Sequence, residues 1–245
     1  MNPRGNIFLA IGTRNTGKSF TSLNLAYSFH LRTKGGKSII IFDHTNNSTY
    51  DSFVSQYGTL VSIEYLKEND IRADGVYLVR SDEIDDFADA MVNYVRNSVI
   101  IFDDVGVLFN GNLSKMRGKL LKTPKNNFLE LIFQAHSIRE VAPALLDQVN
   151  MFIIKESRDD FDDLPSKLPA QKEIAHCLFE VVRENVSLPS NKKYATIIYD
   201  TEAHEVWHYD LKKGEFKIKK GQDFFPFSNQ LKIKDYQKKW ELRSR

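Results

Sequence analysis

The chain has 245 residues, of which 42% are hydrophobic and 27% are charged, a globular composition that excludes wholesale disorder. Its length allows one α/β domain with appendages or at most two small domains, and its net charge of +2 says little about partners. The single cysteine, Cys177, argues against a disulfide scaffold or a cysteine-based metal site, and fits a reducing compartment.

The first predicted strand, residues 7–11, leads into a glycine-rich loop. Residues 12–19 match the pattern G-x-x-x-x-G-K-[ST], and the residues after them have helical spacing. Backbone N–H groups of such a loop and of the following helix N-terminus bind nucleotide phosphates. Lys18 would reach the β- and γ-phosphates, and the Ser19 hydroxyl would ligate Mg²⁺. The sequence therefore predicts an ATP site formed by Gly12, Thr13, Arg14, Asn15, Thr16, Gly17, Lys18, Ser19 and Phe20.

Two further strands follow, at residues 38–42, where the strand ends in Asp43, and at residues 75–80. Ser81 is a good N-cap for a helix that we predict to run to about Arg96, and acidic residues occupy its first turn. The next apolar strand, residues 98–102, leads directly into a pair of carboxylates.

The carboxylate pair Asp103–Asp104 after an apolar strand, well downstream of a P-loop, is the Walker B arrangement. Asp103 would hold Mg²⁺ through its water shell, and Asp104 would orient and deprotonate the attacking water. An isolated pair of this kind could simply cap a strand. Beside an intact P-loop, the pair predicts hydrolysis of the nucleotide.

Residues 108–127 form a predicted loop that carries basic side chains and no acidic one. Three interpretations stay open, because a run of charge is weak evidence alone. It is a solvated loop, a loop that contacts DNA, or a loop that supplies Arg117 as an arginine finger to a neighbouring subunit. The basic residues of this segment are Lys115, Arg117, Lys119, Lys122 and Lys125.

The remaining core elements are a strand at residues 128–133, a helix from Ser137 to about Gln148 and a strand at residues 151–154. The strand before Ser137 ends at Gln134, a polar residue that could sense the γ-phosphate from the tip of the strand beside Walker B. Strands that alternate with helices predict an α/β fold with a mainly parallel sheet and right-handed crossovers.

The character of the chain changes after Ser157. An acidic linker, a helix at residues 170–185 and a hairpin with strands at 194–199 and 205–209 come first, and a basic tail with aromatic residues follows. We predict an ATPase core at 1–157, a small α+β extension at 158–211 and a tail at 212–245. The tail is open to interpretation as a nucleic-acid arm, a subunit-docking tail or a membrane-surface patch. No apolar run approaches the roughly 18 residues of a membrane span, and no signal peptide is visible, so we expect a cytoplasmic protein.

These motifs resemble the FtsK/HerA branch of P-loop ATPases. The resemblance rests on the P-loop at 12–19, on Asp43 with Tyr50 after it, on Asp103–Asp104 and on Gln134, and it covers roughly residues 5 to 156. Within that branch the chain looks like the genome-packaging ATPases of tailless, membrane-containing viruses and, next, like the Zot-type assembly ATPases of filamentous phages. Zot-type proteins generally carry a membrane span, so its absence favours packaging.

The resemblance implies a three-layer, RecA/ASCE-like P-loop fold and a homo-oligomeric ring, hexameric or pentameric, that drives DNA through a central channel. It also implies a capsid or portal-vertex protein as a partner, in the host cytoplasm or the virion. Two features depart from the family. Many members have Glu at the position of Asp104, and no residue matches the family's arginine finger, for which Arg117 is best placed with Arg139 behind it.

Three functions compete at this stage. The first is a DNA-translocating motor, and the second is a Zot-like assembly or scaffold ATPase that moves no DNA. The third is a small-molecule kinase, which shares the P-loop. The pair Asp103–Asp104 and Gln134 suit activation of water better than transfer to a bound acceptor, which argues against the kinase.

Overall fold

A computed structural model of the chain describes residues 5–32, 36–71, 74–159, 164–166, 168–189, 194–210 and 215–225. Parts of two segments singled out above lie outside the described residues, namely 160–163 of the acidic linker, and 212–214 and 226–245 of the basic tail. None of the described helices is both long and apolar enough to cross a lipid bilayer.

The described strands form one ten-stranded sheet. The strands are β1 (Ile7–Ile11), β2 (Ser38–Phe42), β3 (Thr59–Leu60), β4 (Val76–Val79), β5 (Ser98–Phe102), β6 (Glu130–Ala135), β7 (Met151–Ile154), β8 (Ile197–Asp200), β9 (Glu205–Asp210) and β10 (Glu215–Lys220). Their order across the sheet is β10-β9-β8-β7-β1-β6-β5-β2-β4-β3. Every neighbouring pair from β7 to β3 is parallel, whereas β8, β9 and β10 are added in antiparallel fashion. The predicted α/β class with a mainly parallel central sheet is confirmed.

Helices cover both faces of the parallel part of the sheet, and its strands are therefore apolar on both sides. Side chains alternate along β1, so that Phe8 and Ala10 pack in one layer and Ile7, Leu9 and Ile11 in the other. The layer of Phe8 contains α1 (Lys18–Arg32) and α2 (Ser48–Tyr57), and the opposite layer contains α3 (Ile63–Glu68), α4 (Ile84–Asn93) and α9 (Gln171–Val186).

The helix predicted from Ser81 to Arg96 is shorter at both ends. It begins at Ile84 and ends at Asn93. The prediction of Ser81 as its N-cap was wrong, because the Ser81 hydroxyl accepts a hydrogen bond from the Glu83 amide at 3.0 Å and closes a turn before the helix. Glu83 occupies the N-cap position without a capping side-chain bond.

The segment predicted as a basic loop, residues 108–127, is largely helical. It contains the end of α5 (Val105–Leu108), all of α6 (Lys115–Leu120) and all of α7 (Pro124–Asn127). Leu113, Met116 and Leu120, three or four residues apart, pack into the core layer of α4, and the four lysines stay exposed. The prediction of a loop was wrong because it weighed the charges and overlooked this helical spacing.

The region after Gln134 also differs from the prediction. The single helix predicted from Ser137 to Gln148 is a 3₁₀ turn, Ile138–Glu140, followed by the short helix α8 (Pro143–Leu146). Pro143 lies at the first turn of α8 and forces Ala142 into an extended conformation with ψ of 138°, so a continuous helix cannot form across it.

The C-terminal segment extends the sheet of the core and does not form a separate layer. β8 pairs with β7, the predicted hairpin is present as β8 and β9, and β10 was not foreseen. The helix α9 packs against β7 and β8, and a last short helix, α10 (Gly221–Phe224), follows β10. The sheet therefore continues across residue 157, where the sequence suggested the end of the core.

Candidate nucleotide site

The candidate site lies at the edge where the parallel strands β1, β2, β5 and β6 end. Carboxyl ends of parallel strands meet at one edge of a sheet, which is where ligands of open α/β sheets bind. A cavity of about 390 Å³ opens there, at the loop after each of these strands. Of the predicted site residues, Thr13, Arg14, Asn15, Gly17, Lys18, Ser19, Phe20, Asp103, Asp104 and Gln134 line it.

Two glycines determine the backbone conformation of the P-loop. Gly17 has a φ of +80°, in the left-handed region, and a Cβ on Gly12 would lie 2.7 Å from Thr16 Oγ1 and 2.9 Å from Lys155 Cβ. The Thr16 hydroxyl closes the loop by donating to the Thr13 carbonyl at 2.8 Å. A side chain at Gly12 would clash inside the loop, and the positive φ of Gly17 is strained for other residues, so the two glycines maintain a loop whose backbone N–H groups can approach phosphates.

Lys18 folds back over the loop. Its amine donates to the carbonyls of Gly12 and Thr13, the latter at 3.0 Å, and lies 3.2 Å from His136 Nδ1. Burial lowers the pKa of Lys18 to about 8, although the nearby charges of Asp103 and Asp104 act to raise it. A triphosphate would offer this ammonium stronger acceptors than the carbonyls it now contacts.

A chain of hydrogen bonds links the predicted metal ligands, Ser19 and Asp103, through a residue near the end of β6. The Ser19 hydroxyl lies 3.3 Å from Gln134 Oε1, Gln134 Nε2 donates to the Tyr50 hydroxyl at 2.9 Å, and Tyr50 donates to Asp103 Oδ1 at 3.2 Å. Gln134 and Tyr50 are fully buried, and burial followed by the Asp103 charge raises the pKa of Tyr50 well above its usual value. Tyr50 therefore stays a donor and fixes the Asp103 carboxylate.

The loop after β2 adds two residues that sequence reasoning did not assign to the site. Thr45 donates to Asp103 Oδ2 at 2.7 Å, and Asn47 Nδ2 lies 3.3 Å from Ser19 Oγ and 3.4 Å from Asp103 Oδ2. Asp43 shapes this loop by accepting from the amides of Thr45 and Asn47. The sequence showed a polar loop after β2, but only the pairing of β2 with β5 brings that loop to Asp103.

Ser19 and Asp103 present a hydroxyl and a carboxylate to the same end of the cavity, and hard oxygen donors of this kind suit Mg²⁺. Within the described ranges, no cluster of three or more His, Cys, Asp or Glu side chains could hold a metal ion by itself.

Asp104 has an unusual backbone and His136 as its neighbour. Its φ of +46° and ψ of 64° lie in the left-handed region, which Asp tolerates better than most residues. Its carboxylate is 27% exposed, and Oδ2 lies 3.7 Å from His136 Nε2. Water can therefore reach this side chain. His136 was overlooked in the sequence, although it follows Gln134 by two residues.

The C-terminal segment reaches the back of the P-loop. The Glu156 carbonyl accepts from the Thr13 amide at 2.8 Å, and a Cβ on Gly17 would lie 3.5 Å from the Tyr194 ring. Lys155, 2% exposed, donates to Thr196 Oγ1 at 2.7 Å. Burial, helped by the charge of Lys18, lowers the pKa of Lys155 to about 7. Nothing in the sequence motif marked these residues, because their proximity depends on the pairing of β7 with β1 and β8.

We predict that Lys155→Met raises the thermal unfolding temperature, more at pH 6 than at pH 9. Between about pH 7 and the ordinary lysine pKa of 10.5, the unfolded chain binds the Lys155 proton and the folded chain does not. Stability of the unaltered protein therefore rises with pH in this window, and the advantage of the variant shrinks. Lys172→Met, at an exposed position of α9, is the control. An equal gain at both pH values would contradict the prediction.

The two candidate arginine fingers lie in different environments. Arg117 pairs within its own chain, where Nε donates to Asp85 Oδ1 at 3.0 Å and Nη1 donates to the Leu108 carbonyl. Arg139 is exposed on the 3₁₀ turn after β6. Neither belongs to the residues that line the cavity. The chain by itself thus brings together the P-loop, the carboxylate pair and Gln134, and leaves Arg117 outside.

Comparison with known proteins bears on the fold. No protein-family model matches the chain, and no curated protein matches it significantly. The genome packaging NTPase B204 of Sulfolobus turreted icosahedral virus 2, solved with ATP-gammaS, superposes with a TM-score of 0.56 at 20% identity, over 90% of this chain and 98% of that one.

The DNA-packaging ATPase of Sulfolobus turreted icosahedral virus superposes with a TM-score of 0.54 at 19% identity, over 90% of this chain and 98% of that one. For the N-terminal domain of zonular occludens toxin from Neisseria meningitidis the TM-score is 0.40 at 10% identity, over 95% and 98% of the two chains. The superpositions on the two packaging ATPases confirm the suspected resemblance at the level of the fold, and this chain has a P-loop NTPase-like α/β fold similar to theirs.

Proposed function

We propose that this chain hydrolyses ATP in the cavity at the P-loop, and that a ring of its copies uses the hydrolysis to move DNA in viral genome packaging. The observation that supports this best is the network from Ser19 through Gln134 and Tyr50 to Asp103. It gathers a P-loop hydroxyl, a strand-tip amide and an acidic residue around one point. Phosphoryl transfer to water needs such groups on one set of phosphates.

ATP would lie along the P-loop with its phosphates on the backbone N–H groups of residues 12–19 and on the N-terminus of α1. Lys18 would exchange the carbonyls for the β- and γ-phosphates. Arg14 and Asn15 are exposed at the cavity and would meet the phosphates from outside, and Phe20, 68% exposed, would contact the nucleoside.

Ser19 would hold Mg²⁺ directly and Asp103 through a water molecule. The bound ion would neutralise charge on the β- and γ-phosphates. Thr45 and Asn47, which already face Asp103, would keep its carboxylate oriented. Asp104 would take the proton of the attacking water, and Gln134 would sense the γ-phosphate.

We expect subunits with Arg117→Ala to regain turnover when mixed with Lys18→Ala subunits, if Arg117 completes a neighbour's site. Each variant alone lacks one group, whereas a mixed interface has both, and arginine fingers contribute roughly 10³ to 10⁵ in rate. ATP turnover across mixing ratios is the measurement. To act in trans, Arg117 has to leave Asp85 and the Leu108 carbonyl. In a parallel experiment Arg139→Ala subunits are mixed with Lys18→Ala subunits. Recovery of turnover in that mixture alone would assign the arginine finger to Arg139.

The decisive test of the motor is whether double-stranded DNA, single-stranded DNA or neither raises ATP turnover. We expect binding to be non-specific and to fall steeply with salt, with a log–log slope near −0.9 per phosphate neutralised on duplex DNA. Lys119→Ala with Lys122→Ala removes two exposed charges and should reduce the steepness by up to about two units. Basal turnover should survive, because neither lysine lines the cavity.

If the basic tail contacts DNA in place of Lys119 and Lys122, the same salt titration should give the opposite result. Deleting residues 226–245 of the tail, which leaves β10 and α10 in place, then removes the salt dependence while the double lysine variant keeps it. A protein that ignores DNA at low salt would contradict the motor and leave the Zot-like assembly ATPase. In the packaging proposal the further partner is a capsid or portal-vertex protein, in the host cytoplasm or the virion.

A further inference from the structure

His136 lies between two groups to which the proposed function gives different tasks. It comes directly after β6, at the mouth of the cavity, with its side chain 33% exposed. Nδ1 is 3.2 Å from the Lys18 amine, and Nε2 is 3.7 Å from Asp104 Oδ2. The ring therefore lies between Lys18, which would bind the phosphates, and Asp104, which would activate water.

The contact with Lys18 determines the tautomer of His136. A lysine ammonium has three protons and no acceptor, and its other two protons go to the Gly12 and Thr13 carbonyls. Nδ1 must therefore accept a hydrogen bond from the third N–H of Lys18. The hydrogen of the neutral ring then sits on Nε2. The nitrogen that carries this hydrogen lies 3.7 Å from Asp104 Oδ2, a distance too long for a hydrogen bond.

The Asp104 carboxylate is otherwise loosely held. Within the described parts of the chain no hydrogen bond fixes it, and its position follows from a left-handed backbone. A general base has to be oriented toward the water that it deprotonates. The ring of His136 is the neighbouring group that could do this, but its contact with Lys18 keeps Nε2 short of hydrogen-bond distance.

We propose that His136 is a positioning residue that relays occupancy of the phosphate site from Lys18 to Asp104. The inference rests on the proposed ATP hydrolysis. When the triphosphate takes the Lys18 amine, Nδ1 loses its donor and the ring is free to turn. A shift of under about 1 Å brings Nε2 to hydrogen-bond distance of Asp104 Oδ2. The other carboxylate oxygen is then available to the attacking water. Asp104 is therefore oriented as a general base only while nucleotide occupies the phosphate site.

Two amide substitutions separate the two contacts. His136→Gln places an amide near Nε2 and can still donate to Asp104, whereas His136→Asn places one near Nδ1 and loses that contact. We expect a kcat near that of the unaltered protein for His136→Gln. For His136→Asn, kcat should fall about tenfold to a hundredfold with KM nearly unchanged, as for a lost hydrogen bond to a charged group.

A double-mutant comparison tests whether His136 acts through Asp104. In an Asp104→Asn background, His136→Asn should cause no further loss of turnover, because residues that act as one unit are not additive. Equal losses in both backgrounds, or a His136→Asn variant with normal kcat, would overturn the relay.

Nitrogen-15 NMR of the imidazole rings tests the relay without hydrolysis, so it remains decisive if the chain proves not to hydrolyse ATP. Without nucleotide, His136 Nδ1 should give an unprotonated-type resonance, which shifts on addition of AMPPCP with Mg²⁺. His30 is the internal control, because its Nδ1 lies 2.7 Å from the Lys37 carbonyl and must carry the hydrogen. Nδ1 of His136 protonated at the start, or unmoved by the nucleotide, would refute the proposal.

Discussion

Asp104→Asn should reduce ATP turnover by about 10² to 10⁴, the usual contribution of a general base, while nucleotide binding persists. The amide keeps the shape of the side chain, and Asn also tolerates the left-handed position, but the amide cannot take a proton from water. Steady-state hydrolysis and binding of a fluorescent ATP analogue should separate the two effects.

The matched control for this substitution is Asp147→Asn, at an exposed position that ends α8. It removes the same charge away from the cavity and should leave turnover unchanged. An Asp104→Asn protein with near-normal turnover would remove Asp104 from the role of base. Asp103→Asn should behave differently and weaken the Mg²⁺-dependent part of binding, because Asp103 lies with Ser19 at the proposed metal position.

Lys18→Ala should lower kcat/KM by at least about 10³, which amounts to the loss of measurable turnover. Its ammonium is the charged donor inside the P-loop cradle, and it would contact the β- and γ-phosphates in the ground and transition states. We therefore expect binding of ATP to weaken as well, in contrast with Asp104→Asn. Isothermal titration with AMPPCP measures the binding.

Lys172→Ala is the control for Lys18→Ala, since it removes an exposed lysine from α9. Thermal unfolding of both variants shows whether the fold survives. Nucleotide hydrolysis by a folded Lys18→Ala protein at a normal rate would place the active site elsewhere and contradict the assignment of the P-loop.

The sequence by itself determined most strands of the parallel core and the first half of the site, but β3 was not predicted and the strand predicted at 128–133 lies at Glu130–Ala135. Apolar runs identified β1, β2, β5 and β7 to within a residue, because strands buried on both faces need apolar side chains. The P-loop and Asp103–Asp104 were readable because their chemistry depends on residues adjacent in the chain.

The predictions from charge and from helical spacing were wrong at two places. Leu113, Met116 and Leu120 turned the basic segment into helix against α4, and Pro143 divided the helix expected after Ser137. In both places a local signal was outweighed, by burial of an apolar face in the first and by the fixed proline ring in the second.

Only the tertiary structure decided which polar residues join the motifs. Tyr50, Thr45 and Asn47 reach Asp103 because β2 lies beside β5, and His136 reaches Lys18 because β6 lies between β5 and β1. Lys155 comes behind the P-loop through the pairing of β7 with β1. A sequence shows where each strand ends, but the order of the strands in the sheet sets which ends are neighbours, and that order depends on contacts between residues distant in the chain.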